Sequence, residues 1–162
     1  MKLISIEQSF GGVIFYREKG EVFYLLLKYR NGHYSFPKGH AEGKENAEET
    51  FRRELEEETG ITDVRNIQGF HASEKFFYIA KGNERTERIN SGRGILIFKQ
   101  VGYFLAESFE KKVILSHEHL GSRWLKFEDA VETVTFKNAK NILGKADRFL
   151  KKTAFKGNNL PH

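Results

Sequence analysis

The sequence contains no cysteine, only two prolines and no long apolar run. Without cysteine the chain can form neither a disulfide nor a thiolate nucleophile, and this composition fits a reducing compartment. No stretch approaches the roughly 18 consecutive apolar residues that a membrane-spanning helix needs. Residues 1–10 lack the apolar core of a secretory signal. We therefore expect a cytoplasmic protein with no membrane partner.

The composition is that of a folded domain. The 162 residues are 39% hydrophobic and 30% charged, which permits a sizeable core and is unlike a disordered chain. Neither an internal repeat nor a linker is visible, so we predict one domain over residues 1–153 and a C-terminal tail over residues 154–162. The formal net charge of +5 suits polyanionic substrates or RNA without choosing between them. The sequence predicts no oligomeric state.

Residues 39–61 carry most of the chemical information. They predict a helix on which Glu54, Glu57 and Glu58 share one arc, because offsets of three and four residues return to nearly the same side. Glu-rich helices are usually solvated surface, yet Phe51 borders this arc, so the acids lie at the edge of a buried face. Three ionised carboxylates repel one another. A divalent cation, which prefers oxygen ligands, is the compensation that we expect.

Other residues of the same segment are typical of a rigidly held site. Arg53 stands four residues before Glu57, close enough on a helix to orient that carboxylate. Gly39 and Gly60 bracket the segment where a tight loop and a helix stop are expected. Glu45 belongs to the entering loop or the first turn of the helix.

Together these residues resemble the complete box of the Nudix hydrolase family. The matching positions are Gly39, Glu45, Arg53, Glu54, Leu55, Glu57, Glu58, Gly60 and Ile61. The resemblance implies an α/β Nudix fold, in which a mixed β-sheet is sandwiched between α-helices (α/β/α) and the box forms a loop–helix–loop. It also implies a Mg²⁺- or Mn²⁺-dependent hydrolase of a nucleoside diphosphate linked to another moiety.

Four outer segments extend the resemblance to the diadenosine tetraphosphate (bis(5′-nucleosyl)-tetraphosphate) hydrolase branch. They read FPKGHAEGKE, KQVGYFLAE, LSHEHLGSRWLKFEDA and FKNAKNIL. This branch implies asymmetric cleavage of diadenosine tetraphosphate to ATP and AMP. The alternatives are an RNA 5′-pyrophosphohydrolase of the decapping type, an ADP-ribose or other nucleotide pyrophosphatase, and a non-catalytic nucleotide sensor. The intact box argues against the sensor.

The resemblance also assigns roles. Glu54 is the candidate general base, and Glu118 is a late carboxylate that serves as a further ligand or an alternative base. A zinc site built from His117, Glu118 and His119 alone is a weaker interpretation, because no further Cys or His lies near them. The predicted catalytic residues are Glu54, Glu57, Glu58 and Arg53, and the predicted metal-site residues are Glu54, Glu57, Glu58, Glu118 and Gly39.

The predicted substrate contacts flank the box and one later strand. Lys38 and His40 adjoin Gly39, and Lys99 shares a strand face with Tyr103. We expect Tyr103 and Phe136 to sandwich a purine, with core packing as the alternative for both rings. The full predicted set is Lys38, His40, Lys99, Tyr103, Phe136 and His33.

The remaining segments follow from periodicity and turn residues. The run VFYLLL is apolar on both faces and predicts a central strand covered by helices. Residues 81–94, which are charged and rich in glycine, predict a mobile loop at the tip of a hairpin. The predicted strands are 10–16, 21–29, 95–106 and 123–125, with a strand-rich region at 66–80, and the predicted late helices are 127–134 and 136–152.

Overall fold

A computed structural model of the chain describes residues 2–158, and its side chains through residue 154. The strands and helices alternate in a pattern expected for an α/β domain. The strands are β1 (Ile4–Glu18), β2 (Glu21–Tyr29), β3 (Tyr34–Ser35), β4 (Lys38–His40), β5 (Val64–Asn66), β6 (Ala72–Ile79), β7 (Leu96–Ser108) and β8 (His119–Lys126). The helices are α1 (Ala47–Thr59), α2 (Gly82–Asn90), α3 (Phe127–Thr133) and α4 (Lys137–Asn158).

The described strands form one mixed sheet. Its central path runs β3-β2-β1-β7-β5, while β4 pairs with β1, β6 with β7 and β8 with β2. Strands β1 and β7 are parallel from the Ile4–Leu96 pair to the Phe15–Glu107 pair, and the other pairs are antiparallel. β1 pairs with β4 near its middle and with β2 at its end. The strands beside β1 thus diverge where the box begins.

Two apolar layers cover opposite faces of this sheet. Leu25 and Leu27 point to the layer that contains Phe51 and Leu55 of α1. Tyr24 and Leu26 point to the other layer, which contains residues of α3 and α4. All four β2 residues are fully buried, so the two-faced burial predicted from VFYLLL is confirmed. The predicted sandwich of helix, sheet and helix is therefore confirmed.

Residues 81–94 were predicted as a loop, and that prediction was wrong. Helix α2 occupies Gly82–Asn90, with Gly82 and Gly92 in positive-φ conformations near its two ends. Arg88 is 4% exposed and binds Glu84 one turn earlier on the helix. Charge and glycine suggested a solvated loop, whereas one charged side chain is buried and anchors the helix.

Three smaller differences concern element boundaries. The strand-rich region 66–80 contains only β6 and the last residue of β5, with a turn at Gly69, whose φ is 86°, between the two strands. Phe136 directly precedes α4 instead of opening it. Helix α4 continues past the predicted domain boundary at residue 153, and the tail residues 159–162 lie outside the described part. No helix among the described residues is both long and apolar enough to cross a membrane.

Candidate active site

Helix α1 carries the predicted carboxylates and is fixed at both ends. The Asn46 side chain accepts a hydrogen bond from the Glu49 backbone N–H at 2.8 Å, which caps the first turn. Gly60 adopts a left-handed conformation with φ of 72°, and its N–H donates to the Glu56 carbonyl. The helix stop predicted at Gly60 is confirmed. Fully buried Phe51 borders the acidic arc and packs α1 against the sheet, so the carboxylates lie at the edge of this packed face and line a cleft.

This cleft has a volume of about 660 Å³ and lies between α1, β4, Lys99 and residues 116–118. It brings together eight of the predicted residues from four parts of the chain. They are Lys38, Gly39, His40, Glu54, Glu57, Glu58, Lys99 and Glu118. The lining also contains His117, which the sequence offered only as part of a zinc site, and residues that were not predicted to bind, namely Ser9, Tyr29, Glu42 and Ser116.

Arg53 hydrogen-bonds to three carboxylates, two of which line the cleft. Its Nε donates to Glu45 at 2.7 Å, and its Nη1 donates to Glu54 and Glu57 at 3.1 Å each. Its Nη2 also donates to the His40 carbonyl at 2.9 Å, which links α1 to β4. Hydrogen bonding by Arg53 is the main reason why the pKa of Glu45 falls to about 2. Glu45 therefore stays ionised and holds Arg53 in place.

Glu58 is a buried carboxylate, only 3% exposed. It accepts a hydrogen bond from the Lys38 backbone N–H at 3.0 Å, and the His119 Nε2 lies 3.2 Å from its Oε1. Burial raises its pKa above the ordinary value despite these contacts. The pKa of Glu54 is also raised, first by burial and then by the charge of Glu58. The site thus concentrates negative charge that its own cations do not balance.

Ligand atoms of Glu58, Glu118 and His119 lie within 4.8 Å of one another, as a shared metal ion requires. Among the described side chains, both ring nitrogens of buried His119 lack a well-aligned hydrogen-bond partner. A buried imidazole that makes no well-aligned hydrogen bond, next to the Glu58 carboxylate whose pKa burial raises, fits a bound divalent cation. His119 was considered only for a zinc site with His117 and Glu118, which was the weaker interpretation, and it was not among the predicted site residues. Its signal was the SHEH run, in which it lies next to Glu118.

Gly39 lies where β4 and α1 are so close together that there is no room for a side chain. A Cβ atom on this residue would lie 2.0 Å from the Oε1 and Cδ atoms of Glu54. Such a separation is far inside van der Waals contact, so any side chain here would displace the Glu54 carboxylate. The glycine at the start of the box therefore sets the position of a predicted metal ligand.

The predicted purine clamp between Tyr103 and Phe136 does not form. Tyr103 is 4% exposed, donates to Glu74 at 2.7 Å and packs edge-on against Phe36. Its ring faces are therefore in the core, which is the alternative that the strand pattern left open. Phe136 is 54% exposed and its ring lies 5.2 Å from that of His33.

Phe136 and His33 line a second hollow of about 320 Å³. Tyr29 stacks on His33 with ring centroids 4.5 Å apart, and Phe76 also borders the hollow. Tyr29 and Lys38 line both the hollow and the carboxylate cleft, so the two cavities adjoin. An aromatic compartment next to an acidic one can receive a base and its phosphates.

A second ionic cluster lies next to His40 and Lys99, which line the cleft. Glu7 lies 3.3 Å from the His40 Nε2 and 2.5 Å from the Arg88 Nη2. The Arg88 Nε donates to Glu84 at 2.9 Å. Burial lowers the pKa of the neighbouring Lys99, with the charge of Lys38 as the second cause. Glu7 and Arg88 were not predicted, because their contact joins residues far apart in the sequence.

Comparison with known proteins identifies the family. The profile described as "NUDIX domain" matches residues 7–145. The chain belongs to the Nudix family. This Nudix chain is 33% identical over 139 residues to the Mus musculus bis(5′-nucleosyl)-tetraphosphatase [asymmetrical], covering 82% of this chain and 84% of the mouse protein. It is 32% identical over 143 residues to the Caenorhabditis elegans protein of the same name, covering 86% and 94% respectively.

Solved structures agree with this assignment of the Nudix chain. A C. elegans Ap4A hydrolase binary complex superposes with a TM-score of 0.72 and 30% identity, covering 90% of this chain and 98% of that one. An E. coli dihydroneopterin triphosphate pyrophosphohydrolase, at 18% identity and a TM-score of 0.63, is similar in fold alone. The chain is thus a Nudix pyrophosphohydrolase with a nucleotide substrate, related to Ap4A hydrolases.

Proposed function

We propose that this enzyme cleaves diadenosine tetraphosphate asymmetrically to ATP and AMP. The observation that carries the proposal is the contact between two cavities, in which the acidic cleft opens beside the aromatic hollow of His33 and Phe136. A polyphosphate in the cleft would place an attached adenine in that hollow. Relatives that bear this activity in their names match most of the chain and support the choice of substrate. A cytoplasmic location stays a prediction.

Mg²⁺ or Mn²⁺ is the proposed cofactor. Glu54, Glu57, Glu58, Glu118 and His119 would hold it. When bound, the cation supplies positive charge that neutralises the phosphate oxygens as the reaction proceeds.

The chain's own groups position the reactants. Arg53 fixes the carboxylates of Glu54 and Glu57. Glu54, whose pKa burial raises, would accept the proton of the attacking water. The water oxygen bonds to phosphorus, the bond to the bridging oxygen breaks, and the two products are ATP and AMP. Glu118 is the alternative base.

Cationic and aromatic side chains would hold the substrate. Lys38, His40 and Lys99 lie along the cleft and would contact phosphate oxygens. Phe136 and His33 would contact the adenine. Tyr103 would instead position Lys38, because the Tyr103 hydroxyl lies 3.5 Å from the Lys38 Nζ. Stacking on an aromatic ring contributes about 1–3 kcal/mol per base.

A substrate panel with product identification tests this function. Diadenosine tetraphosphate, a dinucleoside triphosphate, ADP-ribose and 5′-triphosphate RNA would each be assayed with Mg²⁺, with Mn²⁺ and with excess EDTA. We expect the highest kcat/KM for diadenosine tetraphosphate, ATP and AMP as its products, and no turnover in EDTA. Two ADP molecules as products, or a higher kcat/KM for ADP-ribose or RNA, would contradict the substrate. Undiminished turnover in EDTA would contradict the cofactor.

A further inference from the structure

Six apolar side chains share one sheet face where the ends of β1, β7 and β6 run side by side. The strand pairing aligns Ile4 with Leu96 and Leu96 with Ile79 in one row. Two positions further along, a second row with the same facing joins Ile6, Phe98 and Phe77. We call this surface the apolar patch; its members are Ile4, Ile6, Phe77, Ile79, Leu96 and Phe98.

Most of the apolar patch is open to solvent. Ile6 is 76% exposed, Phe77 63%, Ile4 54% and Ile79 48%. The reverse face of the same strands is partly covered, because Ile97 is fully buried there and Arg88 of α2 packs against Glu7. Single exposed apolar residues are ordinary, but a contiguous group on one face indicates an interaction surface.

Helix α1 covers this sheet face only further along β7. Phe51 of α1 stacks on Phe104 at 5.2 Å, and a polar row of Gln8, Gln100 and Lys75 lies between that contact and the apolar patch. On its other side the patch reaches β6, which pairs only with β7 among the described strands. Residues 76–79 of this edge strand read FFYI, without the charge or proline that commonly protects an edge.

We infer that a second copy of this chain covers the apolar patch, sheet face against sheet face, in a two-fold dimer. The patch contains no charged side chain, so two copies meet without electrostatic repulsion despite the net charge of +5. Its four most exposed residues present roughly 500 Å² per protomer. Doubling that area approaches the roughly 1,200 Å² at the lower end of specific interfaces. A two-fold axis brings the same patch from both protomers together.

Sedimentation equilibrium of the full chain across micromolar to near-millimolar concentrations tests the dimer. We expect reversible dimers for the wild type and monomers for Ile6→Glu and Phe77→Glu, with the dissociation constant raised roughly a hundredfold or more by a buried unpaired charge. Phe109→Glu is the matched control, because Phe109 is 57% exposed at the far end of β7 and should leave the dimer intact.

Milder variants separate lost association from lost folding. Ile6→Ser and Phe77→Ser remove apolar area without adding charge and should weaken the dimer while keeping the circular dichroism spectrum and melting behaviour of a folded protein. A wild type that stays monomeric at every concentration overturns the inference. Dimers that persist in folded Ile6→Glu and Phe77→Glu, or that dissociate equally in Phe109→Glu, also overturn it.

Discussion

Two arginines organise ionic clusters that both contact His40 beside the same cleft, and their surroundings differ in charge balance. Arg53 contacts Glu45, Glu54 and Glu57, next to a buried Glu58, and the pKa values of Glu54 and Glu58 are raised. Arg88 contacts Glu7 and Glu84 beside His40 and Lys99. There, burial of Glu7 acts to raise its pKa, yet hydrogen bonds from Arg88 and His40 outweigh burial and lower it.

The difference in charge balance indicates that the Arg53 cluster needs a further cation and that the Arg88 cluster does not. The Arg53 cluster holds more buried negative charge than its cations neutralise, which is the state expected of a site that binds an additional cation. The Arg88 cluster is balanced, so its carboxylates are most stable as they stand. Similar residue types thus form one cluster with unbalanced negative charge and one cluster whose charges are paired.

The largest expected effect comes from neutralising Glu58. Glu58→Gln should lower kcat by at least about 10²–10³-fold, because it removes a charge-stabilising group from the reaction centre. The same change should raise the melting temperature of the metal-free protein, since a desolvated carboxylate is replaced by an amide. Steady-state kinetics and thermal melting in EDTA measure the two effects.

Substitutions of two other glutamates of α1 test whether the loss of kcat depends on a position in the acidic arc. Glu57→Gln should also lower kcat strongly. Glu56→Gln is the control, because Glu56 is exposed and lies off the acidic arc. Equal losses of kcat at all three positions would refute the assignment of the arc.

Gly39→Ala should be the next most damaging change. The added methyl group would overlap the Glu54 carboxylate, so we expect kcat to fall by about 10²-fold with a smaller loss of melting temperature. Gly43→Ala is a suitable comparison, because nothing lies within 4 Å of its Cβ position, although its φ of 56° adds local strain. Normal turnover by Gly39→Ala would show that Glu54 can move without consequence.

Substitution of Arg53 should mainly lower activity, whereas substitution of Arg88 should mainly lower stability. Arg53→Leu should lower kcat about 10²-fold, because Glu54 and Glu57 lose their orientation. Arg88→Leu should instead lower the free energy of unfolding by about 3–5 kcal/mol, since a buried ion pair loses one partner. It should raise KM more than it lowers kcat, because Glu7 then holds His40 less firmly. Exposed Arg85 on the same helix provides the control, Arg85→Leu.

The smallest effect is a pH dependence of opposite sign in the two clusters. The folded-state pKa of Glu58 is raised, so its stabilising contribution is complete below the ordinary value of 4.5 and is lost as the pH rises through the folded pKa. The pKa of Glu7 is lowered, so its contribution is present above 4.5 and is lost as the pH falls.

Melting curves of the metal-free protein between pH 3 and pH 7, roughly the range over which carboxyl groups of shifted pKa titrate, measure this difference. The advantage of Glu58→Gln over the wild type should grow as the pH rises. The disadvantage of Glu7→Gln should shrink as the pH falls. The same trend in both variants would remove the distinction between the clusters.

Sequence patterns predicted those features of the fold and the site that depend on a single helix or strand. The acids of α1, the stop at Gly60 and the two-faced burial of β2 all follow from spacing along a single helix or strand. Alternation also placed Tyr103 on the same face as Leu105, and both belong to one core layer. It could not show that Glu74 and Phe36 would enclose the Tyr103 ring, because they come from other strands and loops.

Long-range contacts account for the failures. Helix α2 was missed because its key residue, Arg88, is stabilised by Glu7, which is about 80 residues away in the sequence. His119 was not chosen because only the folded chain places it against Glu58. In both cases the residue type was visible, but the partner that gives it a role was not.

The parallel pairing of β1 with β7 also has a consequence for synthesis on the ribosome. The partners Ile4 and Leu96, and likewise Phe15 and Glu107, are roughly 90 residues apart in the chain. At about 5–20 residues per second, β1 emerges some 5–20 s before its neighbour exists. During that interval Val13, Ile14 and Phe15 have no β7 to cover one edge of their strand. The nascent chain is therefore most exposed to aggregation and to chaperones before residue 108 leaves the ribosome.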